Sequence, residues 1–159
     1  MTGVNDNISD KNQSVAITNS ISSSDSNYAA LDNQTVTAVN VDDDIVAITY
    51  SKASLESILK EVSSSSPPSS DNFTVVLGAQ PTADVTVNFV SSDTTEATVS
   101  PSSVVFGSGN HTIAQTVIVS AVHDDEDDGD IAGVTVTGSI SSSDSAYAAL
   151  DNKTYTFTV

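Results

Sequence analysis

Nine of the chain's 21 acidic residues are concentrated in two short stretches, Asp42-Asp43-Asp44 and DDEDDGD at 124–130. Each stretch directly follows a segment with strand character, TVTAVNV in the first case and TIAQTVIVSAV in the second. Carboxylates crowded at a strand end repel one another unless a cation lies between them. Calcium takes six to eight oxygen ligands from loops that can wrap it, so two aspartate-rich loops on a strand framework point to calcium. The second stretch mimics the start of a helix–loop–helix calcium loop, with Asp124, Glu126, Asp128, Gly129 and Ile131 in step. Its twelfth position is Thr135, where that loop requires a bidentate glutamate, and its flanks read as strands. That motif is therefore rejected.

Other chemistry finds little support. The two histidines, His111 and His123, lack the spacing of a zinc site, and His111 reads as a surface residue at a strand end. There is no cysteine, no GxSxG elbow and no phosphate-binding glycine loop. Paired carboxylates could hydrolyse glycosides, but such sites need sugar-contacting side chains, and the chain has no Trp. The expectation is a protein that is not an enzyme. Against 21 acids stand four lysines and no arginine, a formal net charge of −17. This excludes nucleic acid as a partner and disfavours anionic membranes. No apolar run approaches the roughly 18 residues of a membrane span, so direct membrane insertion is not expected.

The elements that position the acids come from composition and repetition. Apolar residues make up 38% of the chain and aromatics 5%. Val, Ile and Ala dominate the apolar residues and Thr is abundant, which suits pleated, half-buried strands. Residues 18–35 (TNSISSSDSNYAALDNQT) return at 137–154 (TGSISSSDSAYAALDNKT) with three differences in eighteen positions. A weaker match links TGVNDNISD at 2–10 with SAVHDDEDD at 120–128. The spacing of about 119 residues is that of one β-sandwich domain. Residues 1–41 thus read as the C-terminal half of a preceding repeat, whose strands must pair with the rest of the chain or with a neighbour. Residues 42–159 read as a nearly complete repeat. Alternation predicts strands at 14–18, 35–41, 45–50, 73–78, 84–90, 96–99, 103–106, 112–122, 133–137 and 154–159. Leu55, Ile58, Leu59 and Val62 fall at helical spacing, which predicts a short helix over 53–62. Tyr28 and Tyr147, at equivalent repeat positions, read as loop anchors beside Leu31 and Leu150.

FTVVLGAQPTADVTVNFVSSDTTEATVSPSSVVF, followed by QTVIVSAV, an Asp-rich loop and SISSSDSAYAALDNKT, resembles the Calx-beta-like repeats of large bacterial surface proteins. The resemblance implies an all-β fold, an immunoglobulin-like antiparallel sandwich with Ca2+ at one end. It implies ligands from a glutamate before the second strand, an aspartate after the third, an Asp-rich loop and an aspartate run between repeats. On this chain those are Glu61, Asp93, the loop residues Asp124, Asp125, Asp128 and Asp130, and the run Asp42, Asp43 and Asp44. The chain departs from the family where His123 replaces a frequent aspartate and where 53–70 replaces a short Glu-Gly-Gly turn. The implied function is a calcium-binding structural module of an extracellular or cell-surface protein in adhesion, the metal rigidifying the sandwich end and the repeat junction. The alternative is a self-assembling fibre subunit joined by β-strand donation. Expected partners are neighbouring repeats or identical subunits, with a cell-surface or glycan ligand as a further candidate.

Overall fold

A computed structural model describes residues 2–61, 68–124 and 129–159. The chain forms two compact units, which divide after Asp44. Among the described residues no helix is long and apolar enough to cross a membrane.

The first unit is built on one antiparallel pair, β1 (Gln13–Asn19) and β2 (Gln34–Asn40). The segment between them contains a single helical turn, α1 (Ser26–Ala29), started by Asp25, whose side chain accepts a hydrogen bond from the Asn27 N–H at 2.9 Å. Every residue of β1 is exposed, as is most of β2.

The second unit is an antiparallel sandwich of two four-stranded sheets. Its strands are β3 (Ile48–Tyr50), β4 (Ser70–Leu77), β5 (Val85–Ser91), β6 (Ala97–Ser100), β7 (Ser103–Phe106), β8 (Gln115–Ala121), β9 (Ala132–Ser142) and β10 (Lys153–Thr158), with a one-turn helix α2 (Ser145–Ala148) between the last two. One sheet runs β3-β4-β8-β6 and the other β10-β9-β5-β7. This is the immunoglobulin-like pairing, with β4 between β3 and β8 and β9 between β5 and β10. All the strands that alternation predicts are present, and β9 runs five residues beyond its expected end at 137.

The period of two explains the core. Phe73, Val75 and Leu77 of β4, Val85, Val87 and Phe89 of β5, Val117 and Val119 of β8, and Val134 and Val136 of β9 all point inward, while threonines line the outer face. Phe73 lies at the centre, with ring centroids 4.7 Å from Tyr155, 5.5 Å from Phe89 and 6.1 Å from Tyr50. It thereby joins the two sheets through tilted and edge-on contacts. Gly138 is required by this packing, because a Cβ there would sit 2.9 Å from Cε1 of Phe89.

The helix expected at 53–62 is not formed across 53–61. Three of the amides it would need are bonded elsewhere: Glu56 N–H to the Asp71 carboxylate, Leu59 N–H to the Thr158 carbonyl and Lys60 N–H to the Ser69 hydroxyl. The apolar spacing still reports burial, since Leu55 and Leu59 both enter the core. Segment 57–59 runs beside β10 through a parallel bridge between Ile58 and Thr158, covering an edge that would otherwise be open.

Candidate metal centres

The two units repeat one framework, and the backbone shows how closely. In the first unit Ile17 pairs with Val36 and Thr18 with Thr35; in the second Val136 pairs with Tyr155 and Thr137 with Thr154. The threonine hydroxyls are bonded across the strands in both, at 2.9 and 3.1 Å. Gly133, at φ +85°, lies beside an irregularity of the β9–β10 register that β1–β2 lacks. Such a bulge absorbs one residue, which accounts for the change of repeat offset from 118 residues in the acidic loops to 119 beyond them. In the loops Lys11, at φ +68°, takes the position of Gly129, at φ +75°.

In the first unit the loop before β1 and the run after β2 are tied together. The Asp42 carboxylate accepts hydrogen bonds from Lys11 N–H at 2.6 Å and from Asp44 N–H at 3.0 Å, and Asp42 N–H donates to the Asn12 side chain at 2.9 Å. Asp6 accepts from Ile8 N–H at 3.0 Å. Burial, and then the charges of Asp43, Asp42, Asp6 and Asp10, push the Asp44 carboxyl above its usual range. The run Asp42–Asp44 thus feels the acids of the loop that precedes β1.

In the second unit strand register places several acids at one end of the sandwich. β8 ends there, followed by His123 and Asp124; β6 begins there after Asp93 and Glu96; β9 begins there after Asp130. Segment 60–61 reaches the same end, because Lys60 and Ser69 exchange hydrogen bonds just before β4. Glu61 Oε2 lies 3.8 Å from His123 Nδ1. Asp130 precedes Ile131, which exchanges two backbone hydrogen bonds with Val159 at 2.8 and 3.0 Å. Asp93 is committed to its own turn. Its carboxylate accepts from the Thr95 hydroxyl at 2.5 Å and the Thr95 amide at 3.0 Å, which hold it below the usual carboxylate range. Asp125 and Asp128 lie outside the described residues. Among the described residues no group of three or more His, Asp or Glu side chains is arranged as a ligand set.

Three buried acids, Asp71, Glu96 and Asp144, were not foreseen. Glu96 is buried beside the same end, its carbonyl accepting from Val122 N–H at 2.8 Å. Asp71 points inward from β4, and burial opposes its ionisation. The Lys52 ammonium and the amides of Glu56 and Asn72 outweigh that cost and hold it below its usual range. Isolated acids carry no run or spacing, and residue 71 lies before the strand expected at 73–78, which in the structure begins at Ser70. His111, read as a surface residue, is instead buried, with Nδ1 3.0 Å from the Ser108 carbonyl.

At the other end Asp144 and Tyr147 fasten α2 to the loop before β5. Asp144 Oδ2 accepts from the amide and hydroxyl of Thr82 at 2.8 and 2.9 Å, and Oδ1 from Ala146 N–H at 3.0 Å. Tyr147 Oη donates to the Ala79 carbonyl at 2.6 Å and accepts from the Ala79 amide at 3.1 Å. Burial raises the Asp144 carboxyl, but these donors outweigh it and lower it overall.

These shifts fix the sign of the acid response. Asp71 and Asp144 titrate below 3.8 when folded, so their stabilisation is complete above that pH and is lost as pH falls further. Asp44 titrates above 3.8, so its contribution has the opposite sign and favours the first unit at low pH. Urea midpoints of the second unit are expected to drop between about pH 4 and pH 2. Asp144→Asn, which keeps a capping side chain but no charge, is expected to flatten that drop. An unchanged slope in the variant would remove Asp144 from the account.

The chain matches no protein-family model, no curated protein and no solved structure.

Proposed function

We propose that the chain is a calcium-binding structural module of an extracellular or cell-surface repeat protein, similar in kind to the Calx-beta-like repeats, and has no catalytic role. The observation that carries this reading is the tie between the acidic run after β2 and the loop before β1, where the Asp42 carboxylate accepts from the Lys11 and Asp44 amides and Asp42 N–H donates to Asn12, so that Asp42, Asp43 and Asp44 lie near Asp6 and Asp10. Backbone amides satisfy part of that cluster, and over the whole chain 21 acids face four lysines, a formal net charge of −17. A divalent cation turns this repulsion into attraction and stabilises the state that binds it. Glu61, Asp93, Asp124 and Asp130, which lie toward one end of the sandwich without forming a ligand set, are the acids assigned to the second site. With calcium bound, the loops leading into and out of each hairpin become rigid, which suits a spacer in an adhesive array. The polar side chains inside the sandwich support a structural role, since Asp71, Asp144 and Tyr147 are all spent on fastening the fold.

Calorimetric melting with calcium and with a chelator tests this. At a hundredfold excess over the dissociation constant, calcium is expected to add about 2.7 kcal/mol. Asp42→Asn with Asp44→Asn should remove the part of that gain belonging to the first unit. Identical melting curves in calcium and chelator would sink the proposal.

A further inference from the structure

β1 is a seven-residue strand of sequence QSVAITN, without charge or proline, and among the described residues it pairs with β2 alone. Its counterpart β9 has a second neighbour, β5, along seven residues from Val85–Ser142 to Ser91–Val136. The other long strand edges of the sandwich are protected. β3, β6 and β7 are only three or four residues long, and β10 is flanked by segment 57–59. A long, flat, uncharged edge like that of β1 is a template for another strand. The same contrast holds for the fastening residues. Tyr147 is fully buried on Ala79, whereas the equivalent Tyr28 is 59% exposed, and among the described residues the Asp25 carboxylate accepts from the nearby Asn27 N–H alone.

The occupant of this surface can be specified, because three of the inward positions that differ between the hairpins change sharply in size. Asn19 stands where Gly138 lies under the Phe89 ring, so a strand identical to β5 would drive that ring into the Asn19 Cβ. Val36 and Ala38 stand where Tyr155 and Phe157 fill the sandwich. A groove of about 430 Å3 lies between Val15 and Ala38 of the hairpin and the segment Thr2, Gly3 and Val4. A copy of this chain's own front half would therefore clash at one position and leave a void at two others.

We propose that the β1 edge and inner face of the first unit dock the front half of another sandwich repeat, one that is not identical to residues 45–121. Its strand equivalent to β5 carries a small polar residue opposite Asn19, its side chains fill the space over Val36 and Ala38, and its loop offers a backbone N–H and C=O to Tyr28 and a hydroxyl to Asp25. The surface thus selects its neighbour and rejects a second copy of the same chain. From the proposed function this takes only the view of residues 1–44 as half a repeat, and its test is run in chelator, so calcium binding can fail without affecting it.

The test extends the full chain upstream of Val4 with a copy of residues 45–121 and follows amide exchange in residues 13–21. With native residues at 19, 36 and 38, exchange should stay as fast as in the unextended chain. With Asn19→Gly, Val36→Tyr and Ala38→Phe together, it should slow by about tenfold or more. Adding Tyr28→Ala should reverse most of that protection. Slow exchange in the native extension would overturn the selectivity, and fast exchange in the matched extension would overturn the docking surface itself. The unextended chain should sediment as a monomer at all concentrations; association that protects residues 13–21 would show that a second copy is accepted.

Discussion

Replacing Tyr147 with alanine is expected to destabilise the sandwich by about 4–5 kcal/mol, whereas Tyr28→Ala should change stability by less than about 0.5 kcal/mol. The two residues occupy the same position of an 18-residue stretch that is almost unchanged between the repeats. Tyr147 is fully buried, and its removal also strands the Ala79 amide and carbonyl in the interior. Tyr28 has more than half its surface in water and no interior to lose. Urea unfolding of both variants separates the cases, and Tyr147→Phe, which keeps the ring, should cost about 1–1.5 kcal/mol. Equal costs for the two alanine variants would show that sequence identity, and not the presence of a partner face, sets the role of this tyrosine.

Phe73→Ala should cost about 3–5 kcal/mol and lower the melting temperature of the second unit by roughly 10–20 °C. Phe73 is fully buried and touches Tyr50, Phe89 and Tyr155, so its loss opens a cavity between the sheets that valines cannot close. Phe73→Leu keeps most of the volume and should cost about 1.5 kcal/mol or less. A loss below about 1.5 kcal/mol for the alanine variant would place the centre of the core elsewhere.

The strands were legible because β-branched residues alternate with threonines on a period no helix shares, as in DVTVNFV and TVIVSA. The segment at 53–61 misled because burial of Leu55 and Leu59 has the same spacing in a helix and in an irregular chain lying on a core. The difference lies in where the Glu56, Leu59 and Lys60 amides go, which is decided by residues distant in sequence. The helical turns at Ser26–Ala29 and Ser145–Ala148 were missed although Asp25 and Asp144 start them, since a single turn has no apolar period. Acidic runs announced the candidate metal sites. Asp71, Glu96 and His111 stayed hidden because each acts alone, through burial that only tertiary packing creates. The repeat was plain in sequence, but the changes Gly138 to Asn19 and Phe157 to Ala38 gained meaning only once those positions were seen to face inward.

The bonds around the end of β10 also have a mechanical consequence. Val159 is held by Ile131 on one side, while the adjacent Thr158 is held by Ser57 and Leu59 on the other. Tension on the chain at this point cannot free the strand end from β9 alone, because releasing Thr158 also breaks its bonds to Ser57 and Leu59 on the opposite flank. The load falls on both sides together, and the sandwich resists a pull here as a clamp resists shear.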